Sequence, residues 1–305
     1  MRLVFAGTPA VAVPALRELA SRHEVVAVIT RRDAEIGRRR ILTPSPVAAE
    51  AERLGIETLK ANRLGDEVTE RVRALAPELG AIVAYGGLVR EPLLSAPRLG
   101  WVNLHFSLLP RWRGAAPVQH AVIAGDEVTG AAVFQLVPEL DAGDVFAESH
   151  YPIGADETAG EVLDALAVSG ASLLAETVDA LESGSAVATP QRGAVTLAPK
   201  LGLDDARLDL TRPADEVYAR LRGVTPEPGA FVLLNGERFK IHRARLLEDA
   251  PHPAPGALAV HGRSILVGTG THPLELLVVQ PAGKKPMPAA DWWRGLAQSE
   301  GLVLA

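Results

Sequence analysis

Short apolar runs alternate with stretches of helical spacing through the first half of the chain. Residues 2–5, 24–30 and 80–85 are apolar or β-branched runs bounded by Gly, Pro or charges, the pattern of buried strands. Between them, residues 14–21, 45–54 and 66–75 repeat Ala, Leu and Val at helical spacing. Pro14 and Pro46 stand near the starts of two of these helices, where a missing N–H does no harm. Residues 101–106 read as a further strand, 133–137 and 145–151 as strands around the polar turn 138–144, and 157–181 as a long closing helix. Such alternation predicts an α/β domain: a Rossmann-like, mostly parallel sheet with helices on both faces.

The pattern then changes. Residues 184–204 are too broken for a long element and are expected to link a first domain, 1–183, to a second, 205–305. After one helical stretch at 213–221 come short runs at hairpin spacing: 229–234 and 238–245 around Asn235-Gly236, 256–260 and 264–268 around His261-Gly262, then 274–280. Asn-Gly between apolar runs is a strong hairpin signal. Five or six short strands with tight turns predict a small OB-like β-barrel.

Composition narrows the class. With 305 residues, 48% of them hydrophobic and 22% charged, the chain has the make-up of a globular protein with a sizeable core. It has no cysteine, which excludes disulfides, thiolate nucleophiles and Cys-ligated zinc or iron–sulfur clusters. Residues 3–16 carry no charge, yet Gly7, Thr8, Pro9 and Pro14 break that stretch where a signal's apolar core would be continuous. A cytoplasmic chain with no membrane association is expected. The formal net charge is −6, and it is uneven. Residues 1–199 hold 18 Lys and Arg against 25 Asp and Glu, whereas residues 200–305 hold 13 against 12. A near-neutral second part leaves room for a local polyanion site.

Three residues draw attention as chemistry. Gly7-Thr8-Pro9 sits at the first strand–helix turn, but its spacing fits neither a dinucleotide fingerprint nor a Walker A loop, so it reads as a tight turn. Asn103 and His105 stand two apart on a strand, so they face the same way, just before a Ser-Leu-Leu-Pro turn. A central parallel strand is ordinarily apolar on both faces, and open α/β sheets place ligands at its carboxyl end. The pair either caps the strand or works on a ligand. Asp141, in the polar turn, either caps that turn or orients a histidine brought near by the fold. The other histidines lack metal-ligand spacing, and no metal is expected.

The stretch Asn103-Leu-His-Phe-Ser-Leu-Leu-Pro-Arg-Trp-Arg-Gly-Ala-Ala-Pro117 resembles the signature of the folate-dependent formyltransferases. Leu140-Asp-Ala-Gly-Asp144 is similar to that family's catalytic Asp loop. Phe5-Ala-Gly-Thr-Pro9, Thr43-Pro-Ser-Pro46, Ala198-Pro-Lys200 and Arg222-Gly-Val-Thr-Pro-Glu-Pro-Gly-Ala230 resemble the tRNA-acting branch of it, as does Gln280-Pro-Ala-Gly-Lys-Lys-Pro-Met-Pro-Ala-Ala-Asp-Trp292. The resemblance spans nearly the whole chain. Departures are small: the run 135–140 lacks the family's usual Met or Gly, and the loop 31–40 is richer in Arg where relatives favour Lys and Pro.

The resemblance implies formyl transfer from 10-formyltetrahydrofolate to the α-amine of methionine on initiator tRNA, by a monomer without a metal. It implies Asn103, His105 and Asp141 as catalytic residues, with Asp141 favouring the protonated form of His105. Ser107, Leu108, Leu109, Pro110, Tyr85 and Gly86 would line the folate pocket. Arg38, Arg39 and Arg40 in the loop, with Lys240, Arg243, Arg245, Lys284 and Lys285 in the second domain, would hold the tRNA. The competing readings are a formyltransferase for a sugar-nucleotide or purine-precursor amine, and a non-catalytic RNA-binding protein.

Overall fold

A computed structural model of the chain describes residues 1–37, 40–296 and 301–305. Its contacts divide into two compact units: Met1–Pro117, Val128–Pro152 and Leu163–Ala198 form one, and Val118–Glu127, Ile153–Val162 and Pro199–Ala305 the other.

Seven strands make the sheet of the first unit: β1 (Arg2–Gly7), β2 (Glu24–Thr30), β3 (Thr58–Lys60), β4 (Leu79–Val83), β5 (Trp101–His105), β6 (Val128–Gln135) and β7 (Val145–Pro152). Their order is β7-β6-β5-β4-β1-β2-β3. The five from β3 to β5 run parallel, while β6 lies antiparallel to β5 and β7 antiparallel to β6. The expected sheet is therefore mixed at one end. Strand β6 begins at Val128, ahead of the predicted 133, because its buried run extends over the small residues Gly130, Ala131 and Ala132. All five parallel strands end at one edge of the sheet, and His105 is the last residue of β5.

Helices α1 (Val13–Arg22), α2 (Pro46–Arg53) and α3 (Asp66–Leu75) follow β1, β2 and β3. The Ser45 hydroxyl caps α2 by accepting from the Ala48 N–H at 3.0 Å, with Pro46 in the first turn, as its sequence suggests. Val68 and Val72 of α3 join Val4, Ile29, Ile82 and Trp101 in one core cluster. Helices α4 (Pro117–Ile123) and α5 (Ala159–Ser183) come later, and α4 was not foreseen because seven residues show too little periodicity. A short ribbon pairs Ala34–Ile36 with Ile41–Thr43. No helix among the described residues is long and apolar enough to cross a membrane.

The stretch 184–204 is not a free tether. Thr189 bridges to Val145, and Leu197–Ala198 pairs in parallel with Arg113–Gly114. Its polar side chains find partners that its composition does not reveal.

The second unit holds α6 (Ala214–Gly223), β8 (Phe231–Leu234), β9 (Glu237–Leu246), β10 (Leu258–His261), β11 (Ser264–Val267), β12 (Leu274–Gln280), β13 (Met287–Pro288) and α7 (Ala289–Arg294). The antiparallel order is β8-β9-β12-β11-β10, with β13 also on β12. Asn235 and Gly236 both have positive φ, the geometry that tight hairpins demand. Leu233 and Ala305 exchange backbone hydrogen bonds, and the Leu304 N–H donates to the Gly256 carbonyl at 2.8 Å. Residues 304–305 thus connect β8 to the start of β10, drawing the sheet into a small barrel.

The site strand β5 is held from below by a close approach. The Trp101 ring, fully buried, lies on Gly80 of β4 so closely that a Cβ there would sit 2.1 Å from the ring. The indole N–H also donates to the Leu93 carbonyl at 2.9 Å, which fixes its rotamer. Gly80→Ala should therefore cost about 1–3 kcal/mol by overpacking. Urea unfolding checks this; a midpoint equal to wild type would mean the ring can move aside.

Candidate active site

Asn103 and His105 project from one face of β5 at the carboxyl edge of the parallel strands. Asn103 is half-buried, and its amide has no protein partner among the described residues. His105 is 6% exposed and meets the Phe134 ring edge-on, 6.3 Å between centroids. Its Nε2 lies 2.9 Å from the Trp112 carbonyl. A carbonyl only accepts, so Nε2 carries the proton and Nδ1 keeps its lone pair. That lone pair faces Asp141, whose Oδ2 is 3.8 Å away and only 12% exposed.

Asp141 is neither an ordinary turn cap nor free. Its Oδ2 accepts the Gly114 N–H at 2.8 Å, so the carboxylate is bound across the site rather than to its own turn. The backbone of its loop is held by Gln191, whose Nε2 donates to the carbonyls of Asp141 and Gly143, both at 2.8 Å. Gly143 is required here, because a Cβ would fall 1.7 Å from the Gln135 carbonyl oxygen. Gln191 escaped the sequence reading because it lies in the presumed linker, and only the return of that stretch beside 112–114 brings it near.

Burial pushes the His105 imidazole below its ordinary value of 6.5, against the opposing pull of the Asp141 carboxylate and the Trp112 carbonyl. The sequence reading expected Asp141 to favour the protonated form. Its pull has that direction, but desolvation outweighs it, and His105 stands neutral.

The expected folate-binding residues divide. Ser107 is fully buried and its hydroxyl donates to the Arg111 carbonyl at 2.6 Å; Leu109 and Pro110 are buried, and Leu108 is half-buried against Gly130. The Tyr85 ring belongs to the hydrophobic core, its hydroxyl bonded to the Ala61 carbonyl at 2.7 Å, so its side chain does not line an open pocket. Gly86 has φ +77° and its carbonyl accepts from Arg31. In the same loop, Leu88 is 65% exposed.

Of the basic residues, Arg38 and Arg39 lie outside the described residues. Arg40 is paired with Glu35 across the ribbon. In the second unit, Arg243 is paired with Glu161 at 2.7 Å and Arg245 with Glu275, whereas Lys240, Lys284 and Lys285 form no ion pair among the described residues. His23, Asp179 and Glu182 approach within metal-ligand distance, a grouping that sequence spacing hid. Arg22 already pairs with Asp179, and the Met1 ammonium with Glu182.

Asn103, His105 and Asp141 thus bring an amide, an imidazole and a carboxylate together at the carboxyl edge of the parallel strands, where open α/β sheets place ligands. The chain belongs to the formyl transferase family: "Formyl transferase" matches residues 1–178 and "Formyl transferase, C-terminal domain" residues 200–297. It is 71% identical to the methionyl-tRNA formyltransferase of Leifsonia xyli subsp. xyli over 295 residues, 97% of each chain. It is 63% identical to that of Clavibacter sepedonicus, covering 98% of this chain and 99% of the relative. Among solved structures, it is similar in fold to an N-formyltransferase of Helicobacter canadensis in complex with folinic acid and dTDP-3-aminofucose. That likeness has a TM-score of 0.70 at 15% identity and covers 92% of this chain and 98% of that one. HypX of Aquifex aeolicus in complex with tetrahydrofolic acid gives a TM-score of 0.61 at 18% identity, covering 96% of this chain and 47% of that one.

The protonation of His105 is directly measurable. Its imidazole should titrate below 6.5 by NMR, and Asp141→Asn should lower it further, since the carboxylate is the group that raises it. The unfolded chain takes up this proton first on acidification, so the stability tied to neutral His105 is present above about pH 6.5 and declines as pH falls below it. A His105 that titrates above 6.5 would overturn the assignment of a neutral imidazole.

Proposed function

We propose that this chain transfers a formyl group from 10-formyltetrahydrofolate to the α-amino group of methionine on initiator tRNA. The observation that carries the chemistry is the His105 Nδ1 facing Asp141 at 3.8 Å, with the unpartnered Asn103 amide two residues away on the same strand. Full-length identity to methionyl-tRNA formyltransferases supports the choice of acceptor.

The donor supplies a formyl carbon already activated on a folate nitrogen. As the amine attacks, negative charge grows on the formyl oxygen and a proton must leave the nitrogen. Asn103 donates its free N–H to that oxygen, an interaction worth about 3–4 kcal/mol in comparable sites. His105 enters neutral, with its Nε2–H committed to Trp112, and takes the departing proton at Nδ1. Asp141 stabilises the imidazolium it faces; as the tetrahedral centre collapses, the bond from the formyl carbon to the folate nitrogen breaks and that nitrogen takes the proton back from Nδ1, leaving tetrahydrofolate and the formylated amine. The Tyr85 and Ser107 hydroxyls are already bonded, so recognition of the folate falls to backbone groups of 84–89 and 107–110, with Leu88 and Leu108 as apolar walls.

Residues 1–183 carry this chemistry, 184–204 follow as the connecting stretch, and 205–305 bind tRNA. Lys240, Lys284 and Lys285 supply the phosphate contacts with uncommitted charge, Arg243 and Arg245 weaker ones, and Arg38, Arg39 and Arg40 guide the acceptor end. With labelled donor, the enzyme should formylate charged initiator tRNA and discriminate against charged elongator tRNA. Formylation of a sugar-nucleotide amine with no activity on tRNA would overturn the assignment.

His105→Asn should lower kcat about 10²- to 10⁴-fold while folate affinity stays within about twofold, because the proton transfer exists only in the transition state. A normal kcat with a raised folate KM would remove His105 from the chemistry. Replacing Lys240, Lys284 or Lys285 by Ala should flatten the log–log salt dependence of tRNA affinity by roughly 0.7–0.9 each. Arg243→Ala or Arg245→Ala should change it less, since each guanidinium already has a carboxylate. Equal slopes across all five variants would mean that the ion pairs do not decide which residues meet phosphate.

A further inference from the structure

Gln191 lies in a stretch whose composition reads as a connector, yet its amide uses all of its hydrogen-bonding groups beside the reacting centre. Nε2 donates to the carbonyls of Asp141 and Gly143, and Oε1 accepts from Arg113 Nη2 at 2.6 Å and Nε at 3.1 Å. One primary amide therefore ties the Asp141 loop to the 112–114 loop. These two loops are the ones that hold His105: the Trp112 carbonyl takes Nε2–H, and Asp141, itself bound by the Gly114 N–H, faces Nδ1.

We propose that Gln191 is a positioning residue that sets the separation and orientation of Asp141 relative to His105. It touches no reacting atom. The Asp141 backbone has φ +45°, in the left-handed region that is uncommon outside glycine though Asp tolerates it better than most residues. The carbonyl of that same residue is one of the two that Gln191 grips. The alternative is that Gln191 merely fastens the stretch 189–198 to the unit. Other bonds already do this: Thr189 pairs with Val145, the Thr196 hydroxyl accepts the Trp112 N–H at 2.9 Å, and Leu197–Ala198 pairs with Arg113–Gly114. Removing the amide should leave the stretch in place and free the loop.

The inference rests on the reading of Asn103, His105 and Asp141 as the reacting centre, and its test includes an arm that needs no activity. Gln191→Met keeps the length of the side chain and removes its donors and acceptor. Among the described residues, Asp141 is the charged side chain that acts on His105, so loosening its loop should lower the His105 titration midpoint toward that of Asp141→Asn. Adding Gln191→Met to Asp141→Asn should produce no further shift, because the two changes remove one interaction. In the formyl-transfer assay, kcat should fall about 10- to 100-fold, the scale of a small misplacement, with the KM for both substrates within about threefold. The thermal midpoint should stay near wild type.

A His105 titration unchanged in Gln191→Met, or shifts that add to those of Asp141→Asn, would overturn the positioning role. So would a loss of activity carried by KM alone. Should Gln191→Met fail to fold, Gln191→Leu is read by the same titration. A wild-type chain inactive in formyl transfer would sink the functional reading, while the NMR titration would still decide the role of Gln191.

Discussion

The hydrogen bond from His105 Nε2 to the Trp112 carbonyl is the constraint around which the site is arranged. A carbonyl cannot donate, so this bond fixes the tautomer and leaves Nδ1 as the only basic position. To make it, the chain must leave β5 at His105, turn through the Ser-Leu-Leu-Pro stretch and return a backbone oxygen to the ring. Ser107, fully buried, holds that return by donating to the Arg111 carbonyl. The Trp112 N–H is in turn taken by Thr196, so the carbonyl that reads the histidine sits on a peptide segment anchored from both sides. Burial then sets the protonation state, and Asp141 adjusts it without reversing it.

Much of the sheet, and the candidate site residues on it, was legible in the sequence, for identifiable reasons. Strands β1, β2, β4 and β5 are buried on both faces, so they stand out as unbroken apolar runs, and polar Asn103 and His105 are conspicuous within one of them. Asn235-Gly236 announced its hairpin because few other pairs tolerate two positive φ values. Helix α4 and ribbon 34–43 were too short for a periodic signal. Gln191 was hidden for a different reason. Its role depends on contacts with residues about 50 and 78 positions away, and no local pattern encodes those. The sequence displays the charged neighbour that raises the His105 pKa but not the burial that outweighs it.

The charges of the second unit show why a count of basic residues is a poor guide to a polyanion surface. Strand β9 carries Lys240, Arg243 and Arg245, but the two arginines face Glu161 and Glu275. An exposed pair contributes little field beyond a Debye length. Of the five residues expected to meet phosphate, those without an ion pair among the described residues are lysines: Lys240 on β9, and Lys284 and Lys285 in the turn after β12. Lys240 stands in register with Gln280, and Gln280 donates to the Lys284 carbonyl, so strand and turn are joined by one side chain. Three flexible, strongly hydrated ammonium groups suit sequence-independent phosphate contacts better than base reading.

Backbone conformation bears on the candidate site as well. Among the described residues, six that are not glycine have positive φ. Ala76 ends α3 as a left-handed cap, Asn235 forms the hairpin turn, and Arg40 turns the ribbon; each has a local reason. The other three, Ala84, Trp112 and Asp141, have none in their own turns. Such conformations cost of order 1–3 kcal/mol each and persist only where the surroundings hold them. Trp112 presents the carbonyl that fixes the tautomer, Asp141 the carboxylate that faces Nδ1, and Ala84 opens the loop that leads to Gly86 and Leu88. Trp112 and Asp141 each hold a polar group toward His105 from such a conformation, as a preorganised site requires. The fold accepts that cost there, where a relaxed loop would carry its polar group away from the imidazole.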